Sequence, residues 1–164
     1  MNTTRVALLC LLAASLLAAW PRPSSASLPP PAVPHLAAQL TPPPTIRVIN
    51  HPDNPNPFWP DWPPGEVRVF PFDEYVVHVC HMEISDSSPM EALKAQSVAA
   101  RTYAWFHILR PPHADYDITN WSPYQAMRPG PHPNCDAAAQ GTSGQYLSYY
   151  GDMVYAMYSA ENSN

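Results

Sequence analysis

Residues 89–105, PMEALKAQSVAARTYAW, commit this chain to one long helix. Ser88 stands where an N-cap belongs, Pro89 suits the first turn, and Glu91 occupies the capping-box position. Alanine, leucine, lysine and glutamine fill the interior, all strong helix formers. Two prolines at 111 and 112 stop it, so the helix is predicted over about 89–109, burying Leu93, Val98, Thr102, Trp105 and Leu109. Just ahead stands Glu83, between Met82 and Ile84. An acid in apolar company has its charged form disfavoured, which leaves it a proton to donate near neutral pH. The plainer reading is an acid near a helix start, favoured by the dipole. From the residues alone both readings stand.

With 164 residues there is room for one domain with tails. Residues 1–26 read as a secretory signal peptide: Arg5, an apolar run over 6–19, then Ser24, Ser25 and Ala26 before the cleavage point. An uncleaved anchor, and with it N-terminal membrane association, is the alternative. Either way the working part is expected outside the cytoplasm, secreted or membrane-anchored at the cell wall. Cys10 leaves with the signal, so Cys80 and Cys135 remain, as a disulfide or as two free thiols. The same cleavage leaves six basic against 13 acidic residues, a net charge of −7. No basic stripe survives, which excludes nucleic acid as a partner.

Prolines set the organisation. Residues 21–64 hold 15 of the 23. That density predicts a stiff, extended tether, with residues 27–64 as a linker. A strand-like patch at 45–49 interrupts it. Phe58, Trp59 and Trp62 either stack on sugars or pin this segment to the domain. The domain is expected over 65–164, with a strand at 66–70, a short helix over 73–82, a helix over 136–144, and two strands over 145–159 turning at Gly151 and Asp152. This is an α+β class: a small mixed domain with one long Ala-rich helix, a short helix before it and a few β-strands, after a disordered Pro-rich N-terminal segment.

Most chemistry is excluded by what is missing. His78, Cys80, His81 and Glu83 are close in sequence, but zinc needs ligands from a second cluster, and His113 and His132 are remote. No metal site and no cofactor are expected. Cys80 falls on the apolar face of its helix, where a thiol is inert rather than nucleophilic. A GxSxG elbow, a phosphate-cradling glycine loop and a dinucleotide fingerprint are absent. Two-carboxylate glycoside chemistry needs a partner acid, and Glu74, Asp86 and Glu91 have no independent support for that role. Chemistry that needs a single acid is preferred.

The segments 74–83, EYVVHVCHME, and 89–104, PMEALKAQSVAARTYA, resemble the signature of the stage II sporulation protein D and LytB amidase-enhancer family. Its pattern runs E-Y-V-x-G-V-V, an acid, then P-x-E-A-L-K-A-Q-A-V-A-A-R-T-Y-A. Residues 142–151, TSGQYLSYYG, and the closing 157–160, MYSA, are similar to later family segments. The resemblance implies peptidoglycan as the target. Sporulation members are lytic transglycosylases acting on glycan strands; amidase-enhancer members assist cell-wall amidases and bind without cutting. The family's catalytic acid falls on Glu83. Lys94, Gln96, Arg101 and Tyr103 fall on family helix positions, and Gln125 on a later family glutamine. By this resemblance they are expected to bind substrate. Lys94 and Arg101, seven apart, share a face, toward the glycan or toward solvent and a loop. His78 replaces the usual glycine, and residues 119–125 lack the Cys and His of a family zinc segment. The family domain usually runs on past the Tyr-Ser-Ala segment, so the domain is expected to be incomplete.

Overall fold

Ile46 and Val48 alternate with Thr45, Arg47 and Ile49, and this period of two is realised as strand β1, Thr45–Ile49. The computed structural model describes residues 40–121 and 123–158. The predicted signal segment, the linker up to 39, and Ser159 and Ala160 of the closing motif lie outside those residues. β1 is the central strand of a three-stranded sheet. It pairs antiparallel with β2, Val67–Pro71, placing Ile46 opposite Phe70, and parallel with β3, Ile118–Thr119.

The expectation of a tether up to residue 64 is therefore corrected from Thr45 onward. Pro-rich sequence forbids helix and interior ladder positions, but it does not forbid packing. Trp62 is fully buried and its indole N–H donates to the Glu66 carbonyl at 3.0 Å. Trp59 packs edge-on against both Trp62 and Phe70. These rings pin the segment to the domain, one of the two readings left open above.

Three buried asparagines complete the anchoring. Asn56 Nδ2 donates to the carbonyls of Asn120 and Met127, both at 2.7 Å. Asn50 Oδ1 accepts from the Asn56 N–H at 2.9 Å and from Asn120 Nδ2 at 3.1 Å. The Pro-rich segment is thereby tied to the loop that follows β3. Asn56→Ala strands two buried carbonyls and is expected to cost roughly 2–3 kcal/mol. A urea unfolding curve with a lower midpoint and an unchanged slope checks this.

Helix α1, Phe72–Glu83, follows β2 without a loop. Its buried Phe72, Tyr75, Val76, Val79 and Cys80 fall at the three- and four-residue steps of one face. Asp73 and Glu74 sit in its first turn, where the dipole favours them. Helix α2, Met90–Leu109, matches the predicted span. Two details differ. Pro89 takes the cap position and no side chain caps it, because the Ser88 N–H closes a turn onto the Ser85 carbonyl. Leu109, predicted buried, is exposed at the last position before the chain leaves the helix, and Val98 is only half-buried. From Ala100 to Trp105 every residue is buried, which makes this stretch the axis of the domain.

Helix α3, Pro133–Gly141, packs on α1 and α2. A short hairpin, β4 Ser148–Tyr149 and β5 Asp152–Met153, follows. Its turn residues are Tyr150 and Gly151, one position earlier than predicted, with φ of 50° and 87°. Both lie in the left-handed region that two-residue hairpin turns require. Two cores result. The larger gathers the sheet, Phe72, Tyr75 and the second half of α2; the smaller joins α1, Leu93 and α3. The class is α+β, and no helix among the described residues is long and apolar enough to cross a membrane.

Candidate functional site

Helix α1 ends at Glu83 because Ile84 turns extended, at φ −143° and ψ 146°, and packs against the smaller core. The last helical side chain is left facing a cavity of about 120 Å³ lined by Glu83, Tyr103, Pro123, Tyr124, Gln125, Met157 and Tyr158. Among the described residues, Glu83 is the only acid in that lining. Burial raises its pKa above the ordinary glutamate value, and no cation opposes the shift. Its place at the negative end of α1 acts in the same sense. The other acids considered from sequence are engaged elsewhere: Glu74 beside His78 at 3.6 Å, Glu91 with Lys94 at 2.8 Å, and Asp86 accepting from the Cys135 N–H at 2.9 Å.

Of the five residues expected to bind substrate, two meet Glu83. Tyr103 lines the cavity, its ring stacked on Tyr155 with centroids 5.2 Å apart. Gln125 also lines it, but its amide is occupied. Its Oε1 accepts from the Tyr75 hydroxyl at 3.1 Å, and its Nε2 donates to the Ala100 carbonyl at 3.2 Å and to the Tyr158 hydroxyl at 2.6 Å. With both ends taken and 2% exposure, Gln125 holds Tyr158 in place rather than offering bonds to a sugar.

The other three go elsewhere. Lys94 and Arg101 do share one face of α2, as their spacing demands, but that face is turned to α3. Lys94 borders a broader groove of about 610 Å³ with Glu91, Thr142, Gln145 and Leu147, which shares no lining residue with the Glu83 cavity. Arg101 is wholly buried, donating to the Ala139 carbonyl at 2.9 Å and to Thr142 Oγ1 and Asp73 Oδ1 at 3.3 Å. That corrects the expectation of a groove-facing Arg101: α3 closes over it. Gln96 is half-buried, lies outside the cavity lining, and its Nε2 has no partner.

Tyr124 and Tyr158 are lining residues that the sequence reading missed. Tyr158 stood inside the quoted closing segment without a role. Burial first, and the Glu83 charge second, push its phenol well above the ordinary tyrosine range, so it keeps its proton beside the acid.

His132, set aside from sequence as remote, does reach the α1 histidines. Its ring stacks on His81 with centroids 3.3 Å apart and stands edge-on to His78 at 6.2 Å. The rings stack instead of converging, and no group of three or more His, Cys, Asp or Glu among the described residues is placed to hold a metal ion. Burial lowers the pKa of His78, His81 and His107. The folded state therefore holds them neutral while the unfolded chain protonates near pH 6.5, so stability is present above that pH and falls as pH drops below it. Glu83 works in the opposite direction. Thermal melts of Glu83→Gln stepped down in pH from 7.5 isolate the histidine loss; a flat Tm through about pH 6.5 contradicts it.

Two comparisons bear on this site. The family model for stage II sporulation protein, SpoIID, matches residues 64–149, just over half of the chain. An uncharacterized protein of Brachyspira hyodysenteriae is 37% identical over 97 residues, covering 57% of this chain and 26% of that protein. The chain thus spans about a quarter of the length of that relative.

Proposed function

This chain belongs to the stage II sporulation protein (SpoIID) family, whose members are peptidoglycan-related, and on that premise we propose that it is a lytic transglycosylase cutting peptidoglycan glycan strands. Glu83 serves as the single general acid and base. The observation that carries this reading is a half-buried carboxyl group, its pKa raised by burial, in a cavity with no second acid among the described residues.

Glu83 donates its proton to the glycosidic oxygen as the bond from that oxygen to the muramoyl anomeric carbon breaks. The carboxylate so formed takes the proton of the muramoyl 6-hydroxyl, whose oxygen closes onto the same carbon. One product ends in a 1,6-anhydro sugar, the other gains a free hydroxyl, and no water enters. A second carboxylate, which ordinary glycoside hydrolysis needs, has no task. Tyr103, Tyr124 and Tyr158 line the cavity beside the acid, and Gln125 fixes Tyr158 through its hydroxyl. The cavity is well below the roughly 300 Å³ at which whole-ligand pockets begin. It takes the scissile linkage, and the strand lies across the surface.

Residues 1–26 direct export in this reading, and the folded domain works at the cell wall. The shallow site also suits a second reading, a wall-binding module that assists cell-wall amidases without cutting. Purified glycan strands stripped of stem peptides separate the two. Anhydro-muramoyl ends by mass spectrometry are expected; retention on the strands with no new ends supports the binding module and overturns the enzyme.

A further inference from the structure

We propose that Cys80 and Cys135 are joined in the mature protein by a disulfide that staples α1 to α3 directly behind Glu83. Cys80 lies three residues before Glu83 on α1, and Cys135 lies in the first turn of α3. Both thiols are free in this structure and wholly buried in the same small core, among Val76, Leu93 and Ala138. The two helices pack directly on each other at this core. Within residues 27–164, Cys80 and Cys135 are the two cysteines present.

The surroundings are already tied together. Asp86, in the turn after Glu83, accepts from the Cys135 N–H at 2.9 Å, and its carbonyl accepts from Asn134 Nδ2 at 2.9 Å. A sulfur–sulfur bond closes the same unit from the other side, so that α1, the turn and the first turn of α3 move as one body. The acid at the end of α1 is then held at a fixed height over the cavity floor.

Burial dictates when the bond forms. Once the core is closed, neither sulfur meets an oxidant, so closure belongs to folding. The oxidant is a disulfide, of low molecular weight or on a protein. One cysteine thiolate attacks it, forming a mixed disulfide and releasing one oxidant thiol. The second thiolate then displaces the remaining oxidant sulfur. Two protein thiols are oxidised, one oxidant disulfide is reduced to two thiols, and the two protons lost by the protein thiols end on those. The same burial that raises both thiol pKa values shields the finished bond from reductants.

The test is oxidative refolding of the mature chain, residues 27–164, in a glutathione redox buffer, read by non-reducing peptide mapping and by thiol alkylation after denaturation. A bridged peptide holding Cys80 and Cys135, with neither of them alkylated, is expected. Dithiothreitol during unfolding is expected to lower the Tm by about 10 °C in this chain and to leave a Cys80→Ala, Cys135→Ala double variant unmoved. Two alkylatable thiols at these positions in protein refolded with native circular dichroism overturn the proposal, as does a bond found only between chains. If the double variant does not fold, the mapping of the unaltered chain decides alone. None of these readouts involves glycan, so failure here is separable from failure of the transglycosylase reading.

Discussion

Glu83→Gln is expected to lower glycan-strand cleavage by a factor of about 10²–10⁴, the usual worth of a positioned general acid and base. The amide keeps the shape of the side chain and its place at the end of α1, but it has no carboxyl proton to give. Binding to the strands is expected to survive, so the loss falls on turnover and not on retention. Stability moves the other way. A raised folded-state pKa means that Glu83 favours the folded state only while protonated, and that benefit fades as pH rises from about 4.3 through the raised value. Above that window the buried charge is a cost, so the variant is expected to melt higher at neutral pH and equally at pH 4. A variant that is both inactive and less stable at neutral pH would point to a damaged fold instead.

Arg101→Ala carries the largest expected stability loss, about 2–5 kcal/mol, from emptying a wholly buried, hydrogen-bonded position. The guanidinium lies under α3 and reaches three groups at once: the Ala139 carbonyl, the Thr142 hydroxyl and the Asp73 carboxylate. Truncation leaves a void and a carbonyl without its donor. Arg101→Lys is expected to recover only part, because one ammonium cannot serve a fork of three acceptors. Asp73→Asn is expected to cost about 1 kcal/mol or less, since Asp73 is half exposed and the pair is screened on that side. Urea unfolding of the three variants checks the order. An Arg101→Ala protein as stable as the parent would mean that α3 is not held from beneath.

Much of the scaffold could be read before any coordinates, because helices announce themselves locally. The span of α2, the existence of α1 and the acid at its end follow from composition and from three- and four-residue spacing. The central place of β1 was not legible in the same way. Its Ile46 and Val48 alternate correctly, but nothing in a proline-dense flank says which strand it pairs with. Pairing across a sheet is a long-range matter, and so is the asparagine hub that makes the flank part of the domain.

The candidate site divides along the same line. Glu83 stood out because its neighbours are apolar in sequence, and in the fold burial raises its pKa. Arg101 stayed open between two directions because helical spacing gives a face and not what covers it; α3, more than 30 residues on, covers that face. Tyr158 came from still further along the chain, and only packing brings it to the acid. His132 reached His81 by the same kind of return.

Cleavage of stripped glycan strands in water enriched in heavy oxygen puts the single-acid mechanism to its most direct trial. If the 6-hydroxyl closes on the anomeric carbon under the guidance of Glu83, the new sugar ends are anhydro and carry no label. Label incorporated at a new reducing end would show that water made the cut, and the account given for this site would be wrong.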